Sequence, residues 1–123
     1  MIFLDTNAVI YLYSGYKDFS AHVTKLINEN DCFISPLVQL ELQYLHEVGR
    51  GHKKAQTIIN ALNHQIGLSI HDHALGGIVK AAVEMSWTRD PFDRLITAHA
   101  KAANCYLVTS DRTIQKHYAK AVW

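Results

Sequence analysis

Proline is scarce in this chain. Pro36 and Pro91 are the two among 123 residues, glycine numbers six, and there is no linker, internal repeat or low-complexity segment. Cysteine is as rare: Cys32 and Cys105 match no zinc spacing, and each opens an apolar run, so both read as buried strand residues. No apolar run approaches the ~20 residues that cross a bilayer. The start Met1-Ile2-Phe3-Leu4-Asp5 lacks a basic region ahead of a cleavable apolar segment, so the expectation is a cytoplasmic protein with no membrane contact. A net charge of +1 is no excess of either sign, and any basic patch must be local. What is present is a 49% hydrophobic content, enough for one globular domain over residues 1–123. Histidine is the one surplus, eight residues scattered along the chain. The pair His71-x-His73 has no third ligand at useful spacing and reads as solvated rather than as a zinc site.

Short apolar runs alternate with helical patterns. Met1 to Leu4 is continuous and apolar, the mark of a strand buried on both faces. Ala8 to Tyr13 starts a helix that Gly15 ends, and Phe19 to Ile27 resumes helical spacing. Cys32 to Ile34 is a second strand, and Ser35-Pro36 a cap-then-proline helix start. That helix runs to about Val48, with Gly49-Arg50-Gly51 as its stop. Lys53 to His64 is helical, Leu68 to Ile70 a third strand, and Ala74 to Met85 a helix weakened by Gly76-Gly77. Asp90-Pro91 repeats the cap-then-proline start and opens a helix to Ala103. Tyr106 to Val108 is the next strand, Asp111 to His117 a short helix, and Val122-Trp123 a terminal edge strand. Such alternation implies an α/β fold with parallel pairing and a doubly wound sheet.

Four acids stand where strands give way to helices: Asp5, Glu41, Asp93 and Asp111. In open α/β sheets ligands bind beyond the carboxyl ends of the strands. Asp5 and Asp111 are each equally well explained as helix caps, worth about 0.3–1 kcal/mol. Asp90 is best explained so. Asp93 falls where a capping-box acid reaches back, yet it heads the stripe Ile96, Ala100, Ala103. Glu41 lies beyond the first turn of its helix and shares a face with Leu37, Tyr44, Leu45 and Val48, so it interrupts a stripe expected to pack on the sheet. A carboxylate facing protein needs a partner, here a buried ion pair or a metal. Several carboxylates in one crevice require a divalent cation, and such a cation usually handles phosphate.

Ile2-Phe3-Leu4-Asp5-Thr6-Asn7, Ser35-Pro36-Leu37-Val38-Gln39-Leu40-Glu41-Leu42, Asp90-Pro91-Phe92-Asp93-Arg94-Leu95-Ile96-Thr97-Ala98-His99-Ala100 and Leu107-Val108-Thr109-Ser110-Asp111, in this order, resemble the motifs of PIN domains, specifically VapC-type toxin ribonucleases. The resemblance spans the chain, although Arg50 to Trp87 carries no motif. It implies a PIN-like three-layer sandwich, with a short central parallel sheet of four to five strands flanked by helices. It also implies an endoribonuclease dependent on Mg²⁺ or Mn²⁺, with Asp5, Glu41 and Asp93 as core acids and Asp111 as a fourth. A cognate antitoxin protein and a homodimer come with it.

Four clustered carboxylates repel one another, so one or more should have a raised pKa without metal. Thr6, Asn7, Thr109 and Ser110 stand beside the acids, to orient water or carboxylates or to cap helices. Arg94 and Arg112 are candidates to hold RNA phosphates, with Arg94 able instead to pair with Asp90. Tyr11, Tyr13 and Tyr16, and Tyr44 with Leu45 and Val48, are either core or a seam for a second copy or an antitoxin helix. A haloacid-dehalogenase-type phosphatase needs a second aspartate where Asn7 stands. The remaining alternative is a non-catalytic PIN-like module that binds RNA or protein.

Overall fold

The computed structural model describes residues 1–50 and 52–123. The stop expected at Gly49-Arg50-Gly51 falls partly outside them, at Gly51. In chain order the elements are β1 (Ile2–Leu4), α1 (Thr6–Tyr13), α2 (Ala21–Glu29), β2 (Cys32–Ile34), α3 (Pro36–Glu47), α4 (Ala55–Ile66), β3 (Ser69–Ile70), α5 (Leu75–Val83), α6 (Pro91–Ala102), β4 (Tyr106–Val108), α7 (Arg112–His117) and β5 (Ala121–Val122). Every strand pairing is parallel and the strand order is β3-β2-β1-β4-β5. This is the expected PIN-like architecture, a five-stranded parallel sheet flanked by helices.

β1 is central because all of Ile2, Phe3 and Leu4 are apolar and bury both of its faces. Its register sets Leu4 against Val108, which brings Asp5 beside Thr109. The order reverses between β1 and β4, since the chain first builds outward to β3 and then returns to the other side. Such a switch point leaves a crevice at the strands' carboxyl ends. Asp5 and Asp111 follow the two strands that flank it.

The helix boundaries follow the local chemistry read above. Ser35 caps α3 and Asp90 caps α6, each followed by proline at the first helical position. Gly67, left-handed at φ 71°, ends α4, and Asn104, at φ 55°, follows the end of α6. The main core gathers the strands with Val9, Leu42, Ile58, Leu62, Ile96 and others, and a smaller cluster of Ile78, Ala82, Met85 and Ala98 joins α5 to α6.

Two expectations are corrected. The stripe containing Glu41 does not lie on the sheet: α3 buries Val38 and Leu42, while Tyr44 is 51% and Val48 46% exposed. Glu41, with Leu37 and Leu45, is half-buried at the edge of that buried face. The 3.6-residue period gives the relative angle of side chains, but not which of two apolar faces meets the sheet. His71 is not a solvated residue either. Its Nδ1 lies 3.0 Å from Nε2 of the fully buried His99, and its ring packs edge-on against Phe3.

Candidate functional site

A cleft of about 260 Å³ opens at the carboxyl ends of β1 and β4. Asp5, Glu41, Asp93 and Asp111 all line it, together with Thr6, Asn7 and Asp90. Leu45, Ile96 and Ile114 supply its apolar wall. Each acid reaches it from a different segment. Asp5 is the N-cap of α1, Glu41 sits within α3, Asp93 lies in the first turn of α6, and Asp111 caps α7.

Asp5 is 7% exposed, and its Oδ1 accepts from the backbone N–H of Ala8 at 2.8 Å. The fully buried Thr109 hydroxyl also bonds to its carboxylate. Burial raises its pKa to about 6 against these two bonds, and the charges of Glu41 and Asp111 add to the rise. Glu41 accepts a hydrogen bond from the Thr6 hydroxyl. Its pKa is raised, first by burial and then by the charge of Asp90, with Thr6 alone opposing. Among the described residues Glu41 forms no ion pair, the alternative its sequence position left open, and the charge that acts on it, Asp90, is of its own sign.

Asp93 does not close a capping box. The Asp90 carboxylate takes the N–H groups of Phe92 and Asp93, while the Asp90 N–H bonds to the Thr88 hydroxyl at 3.2 Å. The Asp93 carboxylate is thereby left to the cleft. Its pKa rises to about 7, first through burial and then through Asp90, Asp111, Glu41 and Asp5. Asp90, set aside in the sequence as a cap, is both cap and cleft wall. Its capping signal hid the second role, because Asx side chains satisfy helix N–H groups wherever they stand.

The second group of candidates divides. Thr6 and Thr109 hold carboxylates and Asn7 lines the cleft. Ser110 is half-buried and does not line it. Arg94 donates from Nε to the Thr88 carbonyl at 2.7 Å rather than pairing with Asp90, and Arg112 is exposed on α7.

The donor set is hard oxygen, which suits Mg²⁺ or Mn²⁺ and not zinc or copper. Among the described residues no three acid, histidine or cysteine side chains have converged into a metal-holding group. The acids line one cleft without closing to ligand spacing.

The PIN domain family model matches residues 2–120. The chain belongs to the PIN-domain family. No curated protein matches it. Among solved structures, this PIN domain is similar to VapBC2 from Rickettsia felis bound to a promoter DNA fragment, at 25% identity over 94% of this chain and 92% of that one, with a TM-score of 0.69. A toxin–antitoxin complex from Klebsiella pneumoniae is similar at 19% identity over 100% and 97% of the two chains, with a TM-score of 0.70. VapBC-1 from nontypeable Haemophilus influenzae shares 20% identity over 100% and 96%, at 0.65. The last two show the shared fold alone, and the first agrees with the VapC-type resemblance carried by the motifs.

Proposed function

We propose that this PIN domain is a divalent-metal-dependent endoribonuclease and the toxin of a toxin–antitoxin pair. One observation carries the reading: four carboxylates from four separated segments line one cleft, and burial and mutual charge push Asp5 to about 6 and Asp93 to about 7. Helix capping accounts for Asp5 and Asp111 but not for the desolvation that Asp5, Glu41 and Asp93 each bear in the same cleft. The solved structures that share the fold include toxin–antitoxin complexes, which supports the biological setting.

Asp5, Glu41 and Asp93 would hold Mg²⁺ or Mn²⁺, with Asp111 as a fourth acid. A cation held there would supply positive charge for the scissile phosphate and would acidify a water as nucleophile. The chain's own groups prepare the site. Thr109 and the Ala8 N–H fix the Asp5 carboxylate, and the Thr6 hydroxyl orients Glu41. Asp93, with its pKa raised to about 7, would give up its carboxyl proton to hold a cation, so binding would release protons near neutral pH. Leu45, Ile96 and Ile114 keep bulk water from one wall. Arg94 and Arg112 stand on α6 and α7, two of the three helices that start at the cleft, and are proposed to meet the RNA backbone.

Partners follow the same reading. The antitoxin is proposed to lie over the groove of Leu12, Tyr16, Phe19, Ile27 and Ile66, beside an aromatic cluster in which Trp123 packs on Tyr11, Tyr16 and Phe19. A second copy is proposed to cover α5, whose exposed Leu75, Val79 and Val83 form an apolar stripe.

Asp5→Asn and Glu41→Gln are expected to leave a folded protein that no longer cuts RNA in Mg²⁺, measured on denaturing gels against circular dichroism of the same samples. Cleavage by the double variant at the parental rate would sink the proposal. Metal-independent RNA binding with no cleavage by the parent would favour the non-catalytic module instead.

A further inference from the structure

A second cavity, of about 430 Å³, lies between α5, the outer face of α6 and the connection from α7 to β5. This is within the size range of small-molecule sites. Nothing in the acid cleft uses it, and its lining is chemically different. Trp87 and His117 form part of its wall, stacked at 5.0 Å with their planes 5° apart. The His117 Nδ1 faces the Thr113 carbonyl at 2.9 Å, so in the neutral ring Nδ1 carries the hydrogen and Nε2 is left as an acceptor. Lys101 and Lys120 also line the cavity, against one acid, Glu84. The Lys120 ammonium is anchored on the Asn104 carbonyl at 3.0 Å and its side-chain oxygen at 2.8 Å, which leaves one of its three hydrogens uncommitted. Lys101 is exposed and free to reach a phosphate.

Two helices run from the acid cleft to the cavity: α6, with Asp93 and Ile96 on the cleft and Thr97 and Lys101 on the cavity, and the short α7. Asp111, at the start of α7, lines the cleft, and His117, at its end, lines the cavity. Six residues of helix span about 9 Å. Arg112 and Lys116 are both exposed on α7 at i and i+4, which puts them on one face between the two sites.

We propose that this cavity is a nucleotide subsite of the same RNA strand, taking a base against the Trp87–His117 platform and an adjoining phosphate on Lys101 and Lys120. The inference rests on the ribonuclease reading for its biological substrate, but its chemistry is independent of cleavage. Flat aromatic walls with lysines beside them suit a base and its phosphate, and stacking of this kind tolerates any base. It gives the segment around Trp87, which carries no family motif, a place in holding the substrate strand.

The test is a two-dimensional nitrogen–proton spectrum of the full chain in EDTA, titrated with adenosine 5′-monophosphate. The chain has two tryptophans, so two indole signals appear, and Trp87→Phe assigns them. The Trp87 indole is expected to shift saturably while that of Trp123 stays still. Lys101→Ala, at an exposed position, should weaken the apparent affinity by about three- to fivefold, and Asp93→Asn should leave it unchanged. An unmoved Trp87 signal, or a shift indifferent to Lys101→Ala, overturns the subsite. RNA cleavage without this shift would leave the ribonuclease standing and remove the subsite. A saturable shift in a protein that never cuts RNA would do the reverse.

Discussion

Asp93 is the residue whose chemistry depends most on its neighbours. In metal-free protein Asp5 and Asp93 have pKa values of about 6 and about 7, above the 3.8 of an unperturbed aspartate. The folded state then keeps protons that the unfolded chain has released. Their stabilisation is complete below about pH 4 and is lost as pH rises through 6 and 7. His99 runs the other way: burial, then His71 and His73, lower it from 6.5 to about 4, so stability is lost as pH falls through that range. The two trends oppose each other in acid, and above pH 6.5 the titration of Asp93 remains. Melting temperature in EDTA is therefore expected to fall between pH 6.5 and 8. Asp93→Asn should remove most of that fall, a difference on the order of 1 kcal/mol after allowance for partial exposure. Saturating Mg²⁺ should flatten the parental curve as well. A parental curve in EDTA that is flat over this range, or identical in Asp93→Asn, would contradict the burial and repulsion assigned to Asp93.

At the scale of elements, α6 shows how one cap serves two ends. Asp90 accepts the N–H groups of Phe92 and Asp93, and its charge is the largest electrostatic contribution to the raised pKa of Asp93. The two effects separate by substitution. Asparagine caps a helix as well as aspartate, so Asp90→Asn should preserve stability while lowering the pKa of Asp93, read by carbon-detected NMR titration. Asp90→Ala should lower that pKa equally but also cost about 1 kcal/mol in denaturant unfolding. Equal losses of stability in both variants would mean that the charge, and not the cap, holds the start of α6. The helix also carries His99 to its contact with His71, just beyond β3.

For the whole molecule, α5 is the element least explained by a lone chain. Of its nine residues only Lys80 is polar, and both of its sides are apolar. Ile78 and Ala82 pack inward, while Leu75, Val79 and Val83 are 60%, 42% and 65% exposed. A helix apolar all round is normally covered all round. The spacing of these three residues at i, i+4 and i+8 makes a single outward stripe, suited to an identical stripe on a second copy. Val79→Glu is expected to convert a dimer to a monomer in sedimentation without loss of helix content. A parent chain that sediments as a monomer at high concentration removes the second copy from the proposal.

The element order, both proline-led helix starts and the parallel alternation were legible in the chain because they rest on local chemistry. A cap needs only its next two or three residues, and a strand buried on both faces needs only its own apolar run. The four acids were legible for a related reason: each stood beside a strand end or inside an apolar helix face, where a carboxylate is out of place. Contacts between distant segments were not legible. That Thr6 would hold Glu41, that Asp90 would wall the cleft it caps, and that His99 would meet His71 all depend on how helices sit across the sheet. The choice of which apolar face of α3 turned inward was decided there too. Periodicity sets angles around one helix axis, whereas packing sets the rotation of that axis against its neighbours, and only the folded chain contains the second quantity.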